Sequence, residues 1–457
     1  MDFHVVLMKS MTLLCIVLLS SFAVSGQGIT GDWEGSLNLG GGRALRLVFH
    51  VSADDSSVAM DSPDQGAYGI EGETIFLSAD SICFSVPKIM MDYAGHRDGD
   101  VIAGTFRQGG MSLPLEMRRT VIQPMKRPQT PQPPFPYKEE EVRIDNPDGQ
   151  SVLAGTLTVP DNYTRETPVV VLATGSGLQN RDEELFGHRP FAVIADYLAR
   201  HGIASLRCDD RGIGGSTGDV VNATTEDFAS DVRAALDWVR GQKRFGKAGI
   251  IGHSEGGIIA YMLGKEKSAP DFIISIAGPS VKGTKILAYQ NKEALKKTGI
   301  SDTMADDFGK AVERAFEYRL VNPVPETVSA DLLASIYPQH TDGMLTQMLA
   351  NSVKSLLTTD DANPWMRFYL AYDPADDLSR LSVPAFIIYG EKDRQVPPSL
   401  NADVARQTAS KAIVKVYPGL NHLMQHASTG AIEEYPDIEE TISPDLLSDI
   451  AAFITTL

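Results

Sequence analysis

The residue that is best placed to carry out a reaction is a serine in a turn flanked by glycines. Ser254 lies in the stretch Gly252-His253-Ser254-Glu255-Gly256, between a short apolar run and a segment of small residues. This order predicts a strand, a tight turn with the serine at its tip, and a helix. Gly252 and Gly256 suit such a turn, because a side chain at either place would collide with the neighbouring strand or helix. The pattern predicts a nucleophilic serine.

A serine hydroxyl needs a base that accepts its proton, and the chain offers a histidine and an acid in workable places. Two later apolar runs, 385–389 and 412–417, have strand character, and a loop follows each of them. The first loop carries Asp393 and the second carries His422. Open α/β sheets place their sites at the carboxyl ends of parallel strands, which is also where Ser254 is expected. The chain order serine, aspartate, histidine is that of the α/β-hydrolase arrangement.

Together, the segments GHSEG, YGEKDRQVP and PGLNH resemble those of α/β-hydrolase fold enzymes, over about residues 137–457. Residues 174–183 and 208–216 are more narrowly similar to bacterial serine esterases, whose exported members carry an N-terminal β domain. The resemblance implies a carboxylic ester hydrolase that acts on small or medium acyl esters through an acyl-serine intermediate. Ser254 would be the nucleophile, His422 the base and Asp393 its partner. No metal or organic cofactor is implied.

The oxyanion of the tetrahedral intermediate requires preorganised N–H donors. We expect one from the backbone of Glu255, directly after the nucleophile. The other is expected from the loop after the apolar run 169–173, where Thr174-Gly175-Ser176 stands in place of the His-Gly-x turn of relatives. The N–H of Ser176 is the first choice, and that of Gly177 is the alternative.

Other polar residues near these motifs are interpreted as structural. His253 adjoins the nucleophile, but neighbouring side chains on a sharp turn diverge, which favours a packing role. The side chain of Glu255 either is exposed or shapes the pocket. His426 competes with His422 for the role of base, but it lies further from the strand end. A network of salt bridges and turn caps beside the site is expected from Arg181, Asp182, Asp209, Asp210 and Arg211. Two further histidines default to structural roles: His188 and His340.

The texture of the chain divides it into segments. Residues 1–25 have the basic start, apolar core and cleavage signature of a signal peptide, which predicts a periplasmic or secreted protein. Residues 27–120 predict an all-β accessory domain, a barrel or a sandwich. The proline-rich segment 121–137 predicts an extended linker. Residues 138–457 alternate strands and helices, which predicts an α/β domain with a mostly parallel sheet. A helical insertion at about 279–378 predicts a cap.

Composition limits the partners of the protein. A formal net charge of −18 over 457 residues argues against binding to nucleic acid or to an anionic membrane surface. Outside the predicted signal peptide, Cys83 and Cys208 are far apart and lie in apolar contexts, which favours buried free thiols. No other stretch is apolar enough to cross a membrane. The expected partner is a small-molecule ester, and the oligomeric state is left open.

Two other functions fit parts of the pattern. A serine peptidase or amidase could use the same core, but such relatives usually add a β-propeller, for which residues 27–120 are too few. A noncatalytic protein whose β domain contacts carbohydrate is the second alternative. The complete set of Ser254, Asp393 and His422 argues against it.

Overall fold

The computed structural model describes residues 28–40, 43–52, 57–65, 67–121, 126–338, 343–359 and 363–457. The predicted signal peptide, residues 1–25, and His340 lie outside these residues. The chain divides into two compact units, Met1–Gln123 and Pro124–Leu457. Within the described residues, no helix combines the length and the apolar character needed to cross a bilayer.

The first unit is a closed antiparallel barrel of eight strands, which decides between the two predicted all-β forms. Each strand pairs with the next along the chain, and the first strand pairs with the eighth to close the barrel. Short 3-10 turns follow the third and fifth strands, at Pro63–Gln65 and Pro87–Ile89. The strands are β1 (Gly31–Gly40), β2 (Arg43–Val51), β3 (Val58–Ser62), β4 (Ala67–Leu77), β5 (Ser81–Val86), β6 (Met91–Asp98), β7 (Val101–Gln108) and β8 (Met111–Thr120).

Aromatic side chains fill the barrel interior. Phe49 and Phe84 meet edge to face with ring centroids 4.9 Å apart, and both are fully buried. The Tyr93 hydroxyl donates to the carbonyl oxygen of Leu115 over 3.1 Å, so its polar end is satisfied inside the core. Gly104 permits this packing, because a Cβ there would lie 2.4 Å from the Tyr93 hydroxyl oxygen. The alternating pattern of the strands therefore produces a solid core.

The second unit is built on an eight-stranded sheet. Its strands are β9 (Tyr137–Asp145), β10 (Val152–Pro160), β11 (Val169–Ala173), β12 (Ala204–Cys208), β13 (Ala248–His253), β14 (Ile273–Ile276), β15 (Ala385–Gly390) and β16 (Ile413–Tyr417). Their order is β16-β15-β14-β13-β11-β12-β10-β9. Only β10 runs antiparallel to its neighbours, β9 and β12, and the remaining pairs are parallel. The predicted α/β-hydrolase fold class is confirmed.

Helices cover both faces of the sheet, as buried parallel strands require. The helices are α1 (Pro190–Arg200), α2 (Thr225–Gly241), α3 (Glu255–Gly264), α4 (Gly283–Lys296), α5 (Asp302–Val321), α6 (Ala330–Ile336), α7 (Met344–Thr358), α8 (Pro364–Ala371), α9 (Pro374–Leu378), α10 (Pro398–Thr408) and α11 (Pro444–Thr455), with a 3-10 segment at Ile432–Asp437. Apolar side chains of α1 and α11 pack on one face of the sheet. Those of α2, α3, α9 and α10 pack on the other.

Helices α4 to α8 form the predicted cap between β14 and β15. Their apolar faces share a separate core that includes Phe308, Phe316, Tyr337 and Val353. Asn363 caps the start of α8, where its side chain accepts from the backbone N–H groups of Trp365 and Met366. This N-terminal capping by Asn363 fixes where the first turn of α8 presents its side chains.

Part of the segment predicted as a linker is bound to the second unit. The Arg127 guanidinium donates to the carbonyl oxygens of Phe186 and Pro436 over 2.7 and 2.8 Å. The Gln129 side chain accepts from the N–H of Thr441 over 2.6 Å and donates to the carbonyl of Ile442 over 2.8 Å. These residues therefore belong structurally to the second unit.

Candidate active site

Ser254 lies at the tip of a crowded elbow between β13 and α3. Its φ of +51° and ψ of −115° are unusual for a residue with a side chain, and its N–H donates to Ile276 O over 2.8 Å. An added Cβ at Gly252 would lie 1.9 Å from the Gly256 oxygen. One at Gly256 would lie 2.0 Å from the oxygen of Ala173. Both glycines are thus required by close backbone approach, as predicted.

Asp393 and His422 meet beyond the ends of β15 and β16. His422 Nδ1 lies 2.8 Å from Asp393 Oδ2, and both side chains are buried. The other carboxylate oxygen, Oδ1, accepts the N–H groups of Gln395 and Val396, each over 2.8 Å. Both oxygens of Asp393 therefore have partners, which fixes the carboxylate and with it the plane of the imidazole. Nδ1 is the side of the ring that faces the acid.

A cavity of about 260 Å³, which we call the nucleophile cavity, brings together three of the predicted site residues, Ser176, Ser254 and His422. Its lining includes Ser176, Ser254, Gln290, Trp365, Gln395 and His422. A second cavity of about 230 Å³, the side cavity, is lined by Gly177, Leu178, Val220, Ala223, Phe228, Asn363 and Trp365. Ser176 thus lies in the cavity of the nucleophile and Gly177 in the adjacent one. Trp365 of the cap forms a wall of both.

The loop after β11 passes directly over the nucleophile. An added Cβ at Gly175 would lie 3.1 Å from Glu183 Oε1 and 3.2 Å from Ser254 Cβ, so a side chain there would crowd both residues. The N–H of Gly175 is already used, because it donates to Glu183 Oε1 over 2.6 Å. Within the described chain, the N–H groups of Ser176 and Glu255 donate to no protein acceptor. They remain available to a ligand.

Asp210 holds this loop from the other side. Its Oδ1 accepts from the Thr174 hydroxyl over 2.6 Å, and its Oδ2 accepts the N–H of Gln179 over 2.8 Å. Burial raises the pKa of the Asp210 carboxyl to about 7, and the charges of Glu183 and Glu255 act in the same direction. The loop is thus braced by an acid that titrates near neutral pH.

The side chain of Glu255 is buried, which decides between the two interpretations made from the sequence. Its Oε1 accepts from the Thr225 hydroxyl over 2.7 Å and from Trp365 Nε1 over 2.8 Å. Burial raises the pKa of this carboxyl, against the effect of its hydrogen bonds. Glu255 therefore connects the nucleophile elbow to the first turn of α8 in the cap.

His253 is buried, as the packing interpretation predicts, but both of its ring nitrogens are hydrogen-bonded. Nδ1 lies 2.9 Å from Glu183 Oε1, and Nε2 lies 3.0 Å from the carbonyl oxygen of His422. Burial works against a charged imidazole, but the carboxylate of Glu183 outweighs it and raises the pKa of His253. The residue therefore has a polar function in the interior.

The charged residues around the site form the expected salt bridges. Arg181 binds Asp209 with two parallel contacts, of 3.1 Å from Nε and 2.9 Å from a terminal nitrogen. Arg207, which the sequence analysis did not single out, pairs with Asp182. Arg211 is fully buried and its Nε donates to Asp231 over 2.7 Å. These contacts tie the loops to the sheet and to α2.

The remaining histidines and cysteines have other surroundings. His426 is exposed and its Nδ1 lies 2.9 Å from Glu440 Oε1, so it does not compete for the base position. His188 is buried, its Nδ1 lies 2.9 Å from the Thr441 hydroxyl, and burial lowers its pKa to about 4. Cys83 and Cys208 are free thiols, each only partly buried. In the described part of the chain, no three His, Cys, Asp or Glu side chains are grouped as metal ligands.

Sequence reasoning missed Glu183 and the cap residues of the site. Glu183 lies 70 positions before its partner His253, and no local pattern relates them. Its φ of +51° is a structural mark that no sequence rule for glutamate reveals. Trp365 and Tyr369 stack in α8 and line the nucleophile cavity, but their helical spacing alone indicates only a packed face.

Comparison with known proteins places the chain among hydrolases. The family described as X-Pro dipeptidyl-peptidase (S15 family) matches residues 148–415, which is more than half of the chain. Esterase EstD of Thermotoga maritima is 22% identical over 295 residues, covering 64% of this chain and 61% of that protein. A non-heme haloperoxidase of Rhodococcus erythropolis is 36% identical over 78 residues, covering 17% of this chain and 25% of that protein.

The chain therefore spans less than two thirds of the length of either curated relative. Among solved structures, the α/β hydrolase GrgF from Penicillium sp. sh18 is 18% identical, covering 70% of this chain and 98% of that chain, with a TM-score of 0.43.

Proposed function

We propose that this chain, which belongs to the X-Pro dipeptidyl-peptidase (S15) family, is a carboxylic ester hydrolase that acts through an acyl-serine intermediate. The observation that carries the proposal is the nucleophile cavity, where a serine on a strained elbow and a histidine oriented by a buried carboxylate face one space. This combination suits acyl transfer, because a hydroxyl becomes a nucleophile when a neighbouring base takes its proton.

The reaction begins when Ser254 Oγ attacks the acyl carbonyl. His422 takes the hydroxyl proton and later gives it to the leaving alcohol, while Asp393 holds the ring through Nδ1 and stabilises its charged form. Water then attacks the acyl-serine with the same base, which releases the acid and restores Ser254.

The oxyanion is held by the N–H groups of Glu255 and Ser176. Glu255 opens α3, so its N–H lies at the positive end of a helix dipole. Ser176 is preferred over Gly177 because it lines the nucleophile cavity, whereas Gly177 lines the side cavity. Loss of one such donor typically costs about 3–4 kcal/mol of transition-state stabilisation.

The lining of the nucleophile cavity favours an ester over an N-terminal dipeptide. An enzyme that releases N-terminal dipeptides must accommodate a charged ammonium group, for which a free carboxylate is the natural partner. Among the described residues that line the cavity, Glu183 is the only carboxylate. Its Oε1 already faces His253 Nδ1 and accepts the N–H of Gly175, so the charge of this carboxylate is shared with groups of the protein. A neutral acyl group therefore suits this cavity better.

A substrate panel tests the proposal. We expect p-nitrophenyl acetate and butyrate to be hydrolysed, and Ser254→Ala to lower the rate by at least about 10⁴-fold. Ser352→Ala, an exposed serine on α7, is the matched control and should keep the wild-type rate. No ester turnover by the folded wild type would overturn the proposal.

The second candidate function is an X-Pro peptidase on the same core, and the family match favours it. Xaa-Pro-p-nitroanilides belong in the same panel. Turnover of an anilide exceeding that of every ester would establish the peptidase instead. Silence on both, with retention on immobilised glycans, would support the noncatalytic alternative.

Export is the second part of the proposal, since residues 1–25 have the character of a signal peptide. Fractionation of cells that express the full chain, followed by mass spectrometry of the mature N-terminus, tests it. We expect a periplasmic or secreted protein that lacks the apolar segment. A cytoplasmic protein that retains the segment would contradict export.

A further inference from the structure

Glu183 and His253 form a buried pair that the proposed chemistry does not use. Each side chain is largely buried, with exposed fractions of 7% for Glu183 and 10% for His253. Their contact joins His253 Nδ1 to Glu183 Oε1 over 2.9 Å. A buried ionisable pair is expensive to maintain unless its geometry is well satisfied. Its position directly before the nucleophile suggests that it has a function.

The hydrogen-bond partners require a proton between the two side chains. His253 Nε2 faces the carbonyl oxygen of His422, which only accepts, so Nε2 carries a hydrogen. Without a second proton, the Nδ1 lone pair would face the Glu183 carboxylate across 2.9 Å. The contact is therefore a hydrogen bond only while the pair holds that proton. Glu183 Oε1 accepts the N–H of Gly175 at the same time.

The pair connects three loops that the reaction requires. His253 is the residue before the nucleophile on β13. Glu183 Oε1 holds Gly175, directly before the oxyanion donor Ser176. His253 Nε2 donates to the backbone of His422, the base. One shared proton thus links the elbow, the oxyanion loop and the histidine loop.

We propose that Glu183 and His253 are positioning residues, which hold the nucleophile, the oxyanion donor and the base in register through their shared proton. This inference rests on the proposed serine-hydrolase function. The pair does not contact the reacting atoms in this role, and its effect reaches them through Gly175 and through the backbone of His422.

The surroundings of His253 leave few other charges to affect it. Glu183 comes from the loop after β11, Asp393 from the loop after β15, and His422 from the loop after β16, with its ring centroid 4.9 Å from that of His253. The residues that pack around the pair from α1, β14 and α11's preceding loop are apolar, among them Phe191, Ile276 and Ile442. Glu183 is therefore the main partner of the charged imidazole.

The sign of the pH dependence follows from these contacts. The pKa of His253 is raised above its ordinary 6.5. The pair therefore keeps its shared proton, and with it the hydrogen bond that positions the three loops, at pH 6.5 and below. The contribution is lost as the pH rises through the pKa of the folded state. Replacing Glu183 removes the main cause that raises this pKa and leaves the burial that lowers it. In that variant, the positioning of the nucleophile, the oxyanion donor and the base should be lost at a lower pH than in the wild type.

Glu183→Gln tests the pair with little change in volume. If the Gln oxygen accepts from Gly175, it faces the lone pair of a neutral His253, and if the amide turns to donate to Nδ1, the Gly175 N–H loses its acceptor. One contact is lost in either orientation. We expect the rate at which Ser254 reacts with a fluorophosphonate probe to fall by about 100-fold, as a displacement of the order of 1 Å predicts.

The probe reports on the nucleophile whatever the natural substrate is. The rate is measured from pH 5 to 10 in the full-length wild type, Glu183→Gln, His253→Asn and the double variant. As the pH rises, the reaction rate of each protein should eventually fall. We expect this fall to begin at a lower pH for Glu183→Gln than for the wild type. Because the two residues act as a unit, the double variant should be no slower than the slower single variant.

Two further variants keep the result interpretable. Glu184→Gln, on the same loop and exposed, should react like the wild type. Glu183→Asp keeps the charge and should restore part of the rate, which a role in packing volume alone would not produce. A Glu183→Gln rate within twofold of the wild type, or a rate loss that follows only the unfolded fraction, would overturn the inference. An unlabelled wild type would overturn the proposed function instead.

Discussion

Trp365 Nε1 in the cap donates to Glu255 Oε1 at the nucleophile elbow over 2.8 Å. Glu255 thus joins the two regions, since it directly follows Ser254 in the chain and its side chain holds the first turn of α8. Trp365 in turn lines both cavities and stacks on Tyr369 with centroids 5.4 Å apart. The position of the cap over the site is therefore coupled to the elbow through one hydrogen bond.

Removing that hydrogen bond should change substrate selection more than chemistry. Trp365→Phe keeps an aromatic ring but leaves the buried Glu255 oxygen with one donor fewer, at a cost of about 1–3 kcal/mol. We expect KM for p-nitrophenyl esters longer than butyrate to rise about five- to tenfold, a change of roughly 1 kcal/mol in binding. The kcat for acetate should change little. Trp238→Phe on α2, outside both cavities, is the control, and an equal effect there would contradict the coupling.

Asp210 should make the stability of the second unit depend on pH near neutrality. Burial is the main cause that raises the pKa of Asp210 from 3.8 to about 7. Between these two pH values, the folded protein therefore holds a proton that the unfolded chain has released. Stability should therefore decline as the pH rises from about 4 to 7. Asp210→Asn removes the ionisation and can still accept from Gln179 while donating to Thr174.

Urea denaturation at pH 4 and pH 8 measures this effect. We expect Asp210→Asn to exceed the wild type in unfolding free energy by about 2–4 kcal/mol at pH 8, and by much less at pH 4. If the variant were less stable than the wild type at pH 8, the folded protein would favour the ionised form of Asp210 over the neutral form, and the prediction would be wrong.

Arg211 is a buried cation of the second unit, and its loss should destabilise the fold. It is 1% exposed and donates to Asp231 through Nε over 2.7 Å and through a terminal nitrogen over 3.0 Å. Arg211→Met leaves that buried carboxylate with the neutral donors Asn146 and Ser151 but without its cation, which costs about 3–5 kcal/mol. Thermal unfolding measures the loss. Arg406→Met, an exposed arginine paired with Asp403 at 2.9 Å, should change stability by no more than about 0.5 kcal/mol.

In the barrel, His50 bridges Asp32 and Asp61, with 2.8 Å to each. The hydrogen bond to Asp61 raises the pKa of His50, and the hydrogen bond to Asp32 acts in the same direction. Partial burial of the imidazole opposes them, and the resulting pKa is about 9. The stabilisation should be complete below pH 6.5 and lost as the pH rises through about 9. NMR titration of the imidazole of His50, assigned with His50→Gln, measures the pKa.

The same variant measures the stabilisation itself. Because the site is about one third exposed, we expect His50→Gln to lose only about 1 kcal/mol at pH 6, and almost nothing at pH 10. An imidazole of His50 that titrates near 6.5 would contradict the bridge.

Local signals accounted for the parts of the site that follow strands. The run 169–173 is apolar throughout and ends before glycines, so its bounds matched β11, and Asp393 and His422 could be placed at strand ends without a structure. The all-β character of the first unit followed from alternation, but a barrel could not be told from a sandwich, because closure depends on pairing between β1 and β8, which no short window contains. Local pattern thus predicts elements better than their partners.

The contacts that the cap makes with the site, and the contact of Glu183 with His253, could not be predicted in this way. Helices α4 to α8 were recognisable as helical, but the side chains that they bring to the site depend on how their apolar faces pack on one another. Glu183 meets His253 because the loop after β11 folds back onto the end of β13, and an acidic residue in a loop is ordinarily solvated. The side chain of Glu255 was ambiguous for the same reason, since its burial is decided by Trp365 in the distant α8.

The solid interior of the barrel limits how the first unit can take part in recognition. Since Phe49, Phe84 and Tyr93 occupy the space among the described strands, a guest molecule would have to displace core side chains to enter. A glycan that bound this unit would instead be held on its outer face, where Phe76 is 56% exposed. Specificity would then be set by surface loops and strand edges, which can change without disturbing the barrel's fold.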